Sequence, residues 1–155
     1  MAIRRVLEKD LDKVLDLLSQ VALVHHQARP DIFKKGIKYT REDLLKIFAD
    51  SGKPIFVSTD ENDTVTGYAF CVIIKHYNDV LFADSTTLYI DDLCVDKSMR
   101  GKGIGKALYY FVKDYAKNIG CNAVTLNVWY DNVNALNFYK SLGLKIRKIG
   151  MEELL

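Results

Sequence analysis

Cysteine is scarce in this chain of 155 residues: Cys71, Cys94 and Cys121 form an odd, widely spaced set, each within an apolar run. That pattern excludes a disulfide-stapled scaffold and the paired spacings of a structural zinc site, and leaves buried, reduced thiols. Long apolar runs are missing as well. No segment approaches the length of a membrane span, and Met1 to Glu8 lacks the apolar stretch of a signal peptide, so a cytoplasmic protein with no membrane partner is expected. An excess of one charge is also lacking. The net charge of +2 is too small for the surface as a whole to attract nucleic acid. Internal repeats, linkers and low-complexity stretches are absent, so residues 1–155 are expected to form a single domain.

What remains is an ordinary globular composition, 49% hydrophobic and 27% charged. Charge is unevenly spread along it. From Lys97 onward there are ten Lys and Arg against four Asp and Glu, while the first 96 residues carry twelve against sixteen. The C-terminal part is therefore the better host for an anionic ligand.

Periodicity supplies the elements. Ile3 to Val6 reads as a strand, and Asp10 as the cap of a helix with Leu11, Val14, Leu15, Leu18, Val21 and Ala22 on one face. Residues 25–39 show no clear period and are broken by Pro30 and Gly36. Thr40 and Asp43 form a capping box for a second helix. "PIFVST" and "TVTGYAFCVIIKH" read as a hairpin turning at "DEND". "TTLYIDDLCV" is a further strand, followed by a glycine-rich stretch and a helix. "AVTLNV" is another strand, Asn132 caps a helix over 133–142 that Gly143 ends, and "LKIRKI" is a final strand. The order β-α-α-β-β-β-α-β-α-β implies an α/β fold with a mixed central sheet flanked by helices.

The glycine stretch, Arg100-Gly101-Lys102-Gly103-Ile104-Gly105-Lys106, carries the chemistry. A dinucleotide fingerprint fails because Lys106 stands where the third glycine belongs. A P-loop fails because the first spacing is one residue short and Ala107 replaces the magnesium-binding hydroxyl. A glycine turn from a strand into a helix N-terminus still aims several backbone N–H groups, and the helix dipole, at one point. With Arg100, Lys102 and Lys106 around it, such a turn suits a pyrophosphate.

Arg100 to Gly105 resembles the R/Q-x-x-G-x-G/A acetyl-CoA motif of the GNAT superfamily of N-acetyltransferases. Asn132, Ala135, Phe138, Tyr139 and Gly143 resemble its N-x-x-A-x-x-F-Y-x-x-x-G block, at the usual separation. The resemblance implies a GNAT-like fold and acetyl-CoA as co-substrate, with no metal. It implies that Leu93, Cys94 and Val95, on a strand splayed from its neighbour, hold the pantetheine arm. Arg100, Gly101, Lys102, Gly103, Ile104, Gly105 and Lys106 would hold the pyrophosphate, with Asn132 and Ala135 completing the cofactor site. Tyr139 takes the position of the acid that protonates the departing thiolate. The chain is shorter at its C-terminal end than many members, which leaves open how the substrate site closes there. The resemblance also leaves room for a homodimer.

Acetyl transfer needs a proton acceptor for the amine. Asp91 and Asp92 are the carboxylates available, and in a regular strand they point to opposite faces, Asp91 with Tyr89 and Leu93, Asp92 with Ile90 and Cys94. The resemblance to polyamine-acetylating members favours Asp91. His25 and His26, in the irregular segment expected to cover the cleft, are further candidates, since histidine titrates near neutrality. Trp129 and Tyr130 read as core or cleft lining. Residues 77–96 hold five aspartates and no Lys or Arg, which favours a small cationic amine as acceptor: a polyamine, diamine or basic amino acid. A protein N-terminus or lysine is the alternative acceptor. A non-catalytic acyl-CoA-binding module is the alternative of another class.

Overall fold

The structure, a computed structural model, describes residues 1–36 and 38–155. Five strands form one sheet in the order β1-β2-β3-β4-β5: β1 (Ala2–Arg5), β2 (Ile55–Thr59), β3 (Val65–His76), β4 (Ser85–Val95) and β5 (Ala123–Leu126). The first four are antiparallel to their neighbours, and only β4 and β5 run parallel. Helices α1 (Leu11–Ala28) and α2 (Arg41–Ala49) precede β2, α3 (Ile104–Asn118) crosses from β4 to β5, and α4 (Val133–Ser141) follows β5.

Alternation along the strands divides the core in two. Ile55, Val57, Tyr68, Phe70 and Cys94 pack against Leu11, Val14, Leu17, Leu18 and Leu44 of α1 and α2. Phe56, Ala69, Cys71, Leu88 and Ile90 pack against Tyr109, Val112 and Ala116 of α3, with Tyr139 of α4 and Leu142 just after it at the margin. Thr40 opens α2 as expected: its hydroxyl accepts from the Asp43 N–H at 3.1 Å, and Asp43 accepts from the Thr40 N–H at 2.9 Å.

Four expectations are corrected. Asp10 does not cap α1 with its side chain. It is buried, accepts from the Leu7 N–H at 2.8 Å and pairs with Arg4 at 2.7 Å, so a short 3-10 turn precedes the helix. Leu17 was absent from the expected apolar face but is wholly buried. Helix α1 runs on to Ala28, so His25 and His26 form its last turn rather than a loop. Finally, residues 144–149 form no strand. A strand exists only through a hydrogen-bonded neighbour; here Leu144 meets the core while Ile146 and Ile149 stay exposed.

Candidate active site

The pairing of β4 builds the site. Phe70 pairs with Asp92 and Cys71 with Ile90, so Asp91 is an unpaired extra residue, a β-bulge. The bulge reverses the alternation. Ile90 faces α3, whereas Cys94, four residues on but only three pairs later, faces α1 and α2. The expected grouping of Asp92 with Ile90 is therefore wrong, and the two aspartates do not lie on opposite faces. Both meet partners on the α1–α2 side: Asp91 pairs with Lys38 at 2.6 Å, and Asp92 accepts from the Tyr68 hydroxyl at 2.7 Å.

Past the bulge the sheet splits. β5 pairs with β4 only from Thr87 to Ile90. Leu93, Cys94 and Val95 continue along β3, opposite Ala69, Tyr68 and Gly67, with no strand on their other edge among the described residues. Because β4 and β5 are parallel, α3 and α4 both begin beyond the same end of the sheet, where the gap opens. This is the crevice at strand carboxyl ends where open α/β sheets bind ligands.

The glycine turn borders that crevice. Asp96 accepts from the Ser98 N–H at 3.0 Å, and the Arg100 guanidinium returns to the Val95 carbonyl at 3.2 Å. Gly101 and Gly103 both have φ of +78°, with open space where a Cβ would project. A left-handed backbone selects glycine at both positions, and Gly103 leads directly into Ile104 at the N-terminus of α3. Lys102 and Lys106 pair with no carboxylate among the described residues; Lys106 lies 6.0 Å from the Tyr110 ring centre. Gly105 sits inside the first turn, where a Cβ would be 3.4 Å from Phe138, so α3 and α4 touch here. At the head of α4, the Asn132 side chain accepts from the Ala135 N–H at 3.1 Å, an N-cap.

Tyr139, on α4, packs at the margin of the α3-side core, near enough to Asp92 to feel its charge. It is partly buried, and its phenol is raised well above the ordinary tyrosine value, first by desolvation and then by the negative charge of Asp92. It therefore stays protonated across the physiological range. Its hydroxyl forms no hydrogen bond among the described residues, where no buried side-chain polar atom lacks a partner, so it keeps access to solvent. The Asp92 carboxyl is also raised, by burial, against the hydrogen bond from Tyr68.

The sequence singled out His25, His26 and Trp129, but not the partners Phe33, Arg29 and Glu152 found around them. His25 stacks on Phe33 at 4.9 Å, and Phe33 meets the edge of Trp129 at 5.4 Å. His26 Nδ1 lies 2.7 Å from the Phe33 carbonyl oxygen, which makes it a tether for that loop. Glu152 pairs with Arg29 at 2.7 Å and ties the C-terminal segment to the end of α1. Lys38 and Tyr68 were not expected at the site either, because their approach depends on the bulge and on a loop without periodicity. Among the described residues there is no cluster of metal-ligating side chains, and no helix is long and apolar enough to cross a membrane.

A raised Asp92 has a consequence for stability. Its ionised form is disfavoured in the fold, so its contribution is fully present below the ordinary aspartate pKa, about 3.9, and is lost as pH rises through the raised value. Asp92→Asn keeps an acceptor for Tyr68 without the charge. The variant is expected to be more stable than wild type at pH 7, with the difference closing near pH 4, as urea melts at the two pH values would record.

The model of the Acetyltransferase (GNAT) family matches residues 21–144, and the chain belongs to that family. A mutant of the BH1408 protein from Bacillus halodurans superposes with a TM-score of 0.96 at 29% identity, covering 100% of this chain and 99% of that one. Among curated proteins, the chain is 29% identical over 158 residues to the uncharacterized N-acetyltransferase MJ1207 of Methanocaldococcus jannaschii, covering 95% of this chain and 62% of that protein. It is 31% identical over 124 residues to L-ornithine N5-acetyltransferase NATA1 of Arabidopsis thaliana, covering 80% of this chain and 52% of the relative. The chain thus spans only about half to three-fifths of the length of these curated relatives.

Proposed function

We propose that this chain transfers the acetyl group of acetyl-CoA to the primary amine of a small cationic molecule, a polyamine, diamine or basic amino acid. The observation that carries this reading is the gap between β4 and β5, with the glycine turn at one side and Asp91, Asp92 and Tyr139 around it. Leu93, Cys94 and Val95 offer backbone groups to the pantetheine arm. Arg100, Gly101, Lys102, Gly103, Ile104, Gly105 and Lys106 receive the pyrophosphate through N–H groups, the α3 dipole and cationic side chains. Asn132 and Ala135 hold the start of α4 against the same cofactor.

Asp91 binds the acceptor ammonium and takes its proton. The neutral amine then attacks the thioester carbonyl, and Tyr139 protonates the departing thiolate. Burial first, and then the neighbouring Asp92, raise the Tyr139 phenol and so favour its protonated form. The similarity to an enzyme named for L-ornithine supports a basic acceptor. The partner is a small molecule rather than nucleic acid, and three unpaired thiols suit the cytoplasm.

The test is purified chain with acetyl-CoA against an amine panel, reading released thiol. Polyamines, diamines and basic amino acids are expected to exceed neutral amines of similar size, with the advantage falling as salt rises. Equal, salt-insensitive rates would remove the cationic acceptor. Transfer to peptide N-termini or lysines alone would favour a protein acetyltransferase instead.

A further inference from the structure

Lys38 stands where the acceptor amine is expected. Its ammonium donates to Asp91 Oδ2 at 2.6 Å, and about half of its side chain is covered, with 49% exposed. The ammonium lies 5.2 Å from the centre of the Tyr39 ring, and Tyr39 stacks on Phe70 at 6.0 Å. Phe70 is the strand partner of Asp92. The loop between α1 and α2 is thereby anchored on the bulge and delivers a primary alkyl amine to it. No other cation in the described residues pairs with either aspartate. Chemically, Lys38 has the features of the proposed external substrate: a flexible alkyl stem ending in an ammonium.

We propose that Lys38 is an internal acceptor, acetylated by the acetyl-CoA bound to its own chain, and that this modification frees Asp91 for external amines. The proposal rests on the acetyltransferase reading above. Burial lowers the affinity of Lys38 for its proton, but the hydrogen bond and charge of Asp91 outweigh burial, so the amine starts charged. The ammonium gives one proton to Asp91, and the neutral nitrogen attacks the thioester carbonyl carbon. The new N–C bond forms as the C–S bond breaks. CoA leaves as thiolate and takes a proton from Tyr139. The second proton lost by nitrogen restores the phenol, and the proton on Asp91 passes to solvent. The products are acetyl-Lys38, CoA thiol and one released proton. The amide carries no charge and no longer pairs with Asp91.

The experiment incubates the purified chain with acetyl-CoA and no amine, following intact mass and mapping the modified peptide. One acetyl group per chain at Lys38 is expected, with a rate independent of protein concentration, slowed in Tyr139→Phe and absent in Lys38→Arg. Amine turnover is measured in parallel. External amines acetylated while Lys38 stays unmodified would overturn the internal acceptor and leave the function standing. No transfer to either would bring down both. Acetylation spread evenly over many lysines, unchanged in Tyr139→Phe, would be thioester chemistry in solution and also refutes the proposal. Removing the competing ammonium is expected to lower the KM for amines about twofold to fivefold, the size of effect seen for partly exposed ion pairs. Lys38→Gln, which mimics the amide, and pre-acetylated wild type should agree. A KM that rises in both would make Lys38 a positioning residue and exclude an occupant that must leave.

Discussion

Tyr139→Phe is expected to lower the rate of acetyl transfer by about 100-fold, the lower end of general acid–base contributions, while leaving acetyl-CoA affinity nearly unchanged. The hydroxyl makes no hydrogen bond among the described residues, so its loss removes no structural partner. The ring that packs beside the core remains in phenylalanine. A contribution confined to the transition state lowers kcat and kcat/KM together. Single-turnover rates and urea melts on one preparation separate chemistry from folding. A variant with normal chemistry would remove Tyr139 from the mechanism.

Gly103→Val should abolish binding of acetyl-CoA. A ligand at 100 times its Kd stabilises a protein by about 2.7 kcal/mol, which in a domain of this size raises Tm by roughly 5–10 °C. Wild type should show that shift with acetyl-CoA, and the variant none. Gly103 has φ of +78°, so valine strains the backbone as well as filling the space before α3. Gly103→Asn distinguishes the two effects, because asparagine tolerates left-handed backbone yet still carries a side chain. If Gly103→Asn melts near wild type without ligand but gains nothing from acetyl-CoA, occlusion is the cause. A full ligand shift in Gly103→Asn would mean that the pyrophosphate does not approach this turn.

The two predictions draw on different parts of the protein. The glycine turn is local, and the sequence displayed it because a left-handed backbone admits few residues other than glycine. The capping box at Thr40 and Asp43 and the cap at Asn132 were legible for the same kind of reason: each satisfies helix N–H groups within three residues. Element order as far as α4 followed from periodicity, whereas the parallel β4–β5 pair and the shared end at which α3 and α4 begin came from the structure.

The surroundings of Asp91 and Asp92 were not legible. Their placement turns on one unpaired residue in β4, and alternation along the sequence cannot show where a register slips by one. The Lys38–Asp91 and Tyr68–Asp92 contacts join residues 53 and 24 positions apart, so they exist only once the sheet is assembled. The run at 144–149 has strand-like alternation but no neighbour to bond, and its exposed Ile146 and Ile149 reflect that. The sequence by itself determined the fold class, the glycine turn and the caps at Thr40 and Asn132, since the turn and caps are satisfied by neighbours along the chain. Only the tertiary structure decided which side the two carboxylates face, which groups hold them and that residues 144–149 form no strand, because each depends on partners that the chain brings together from a distance.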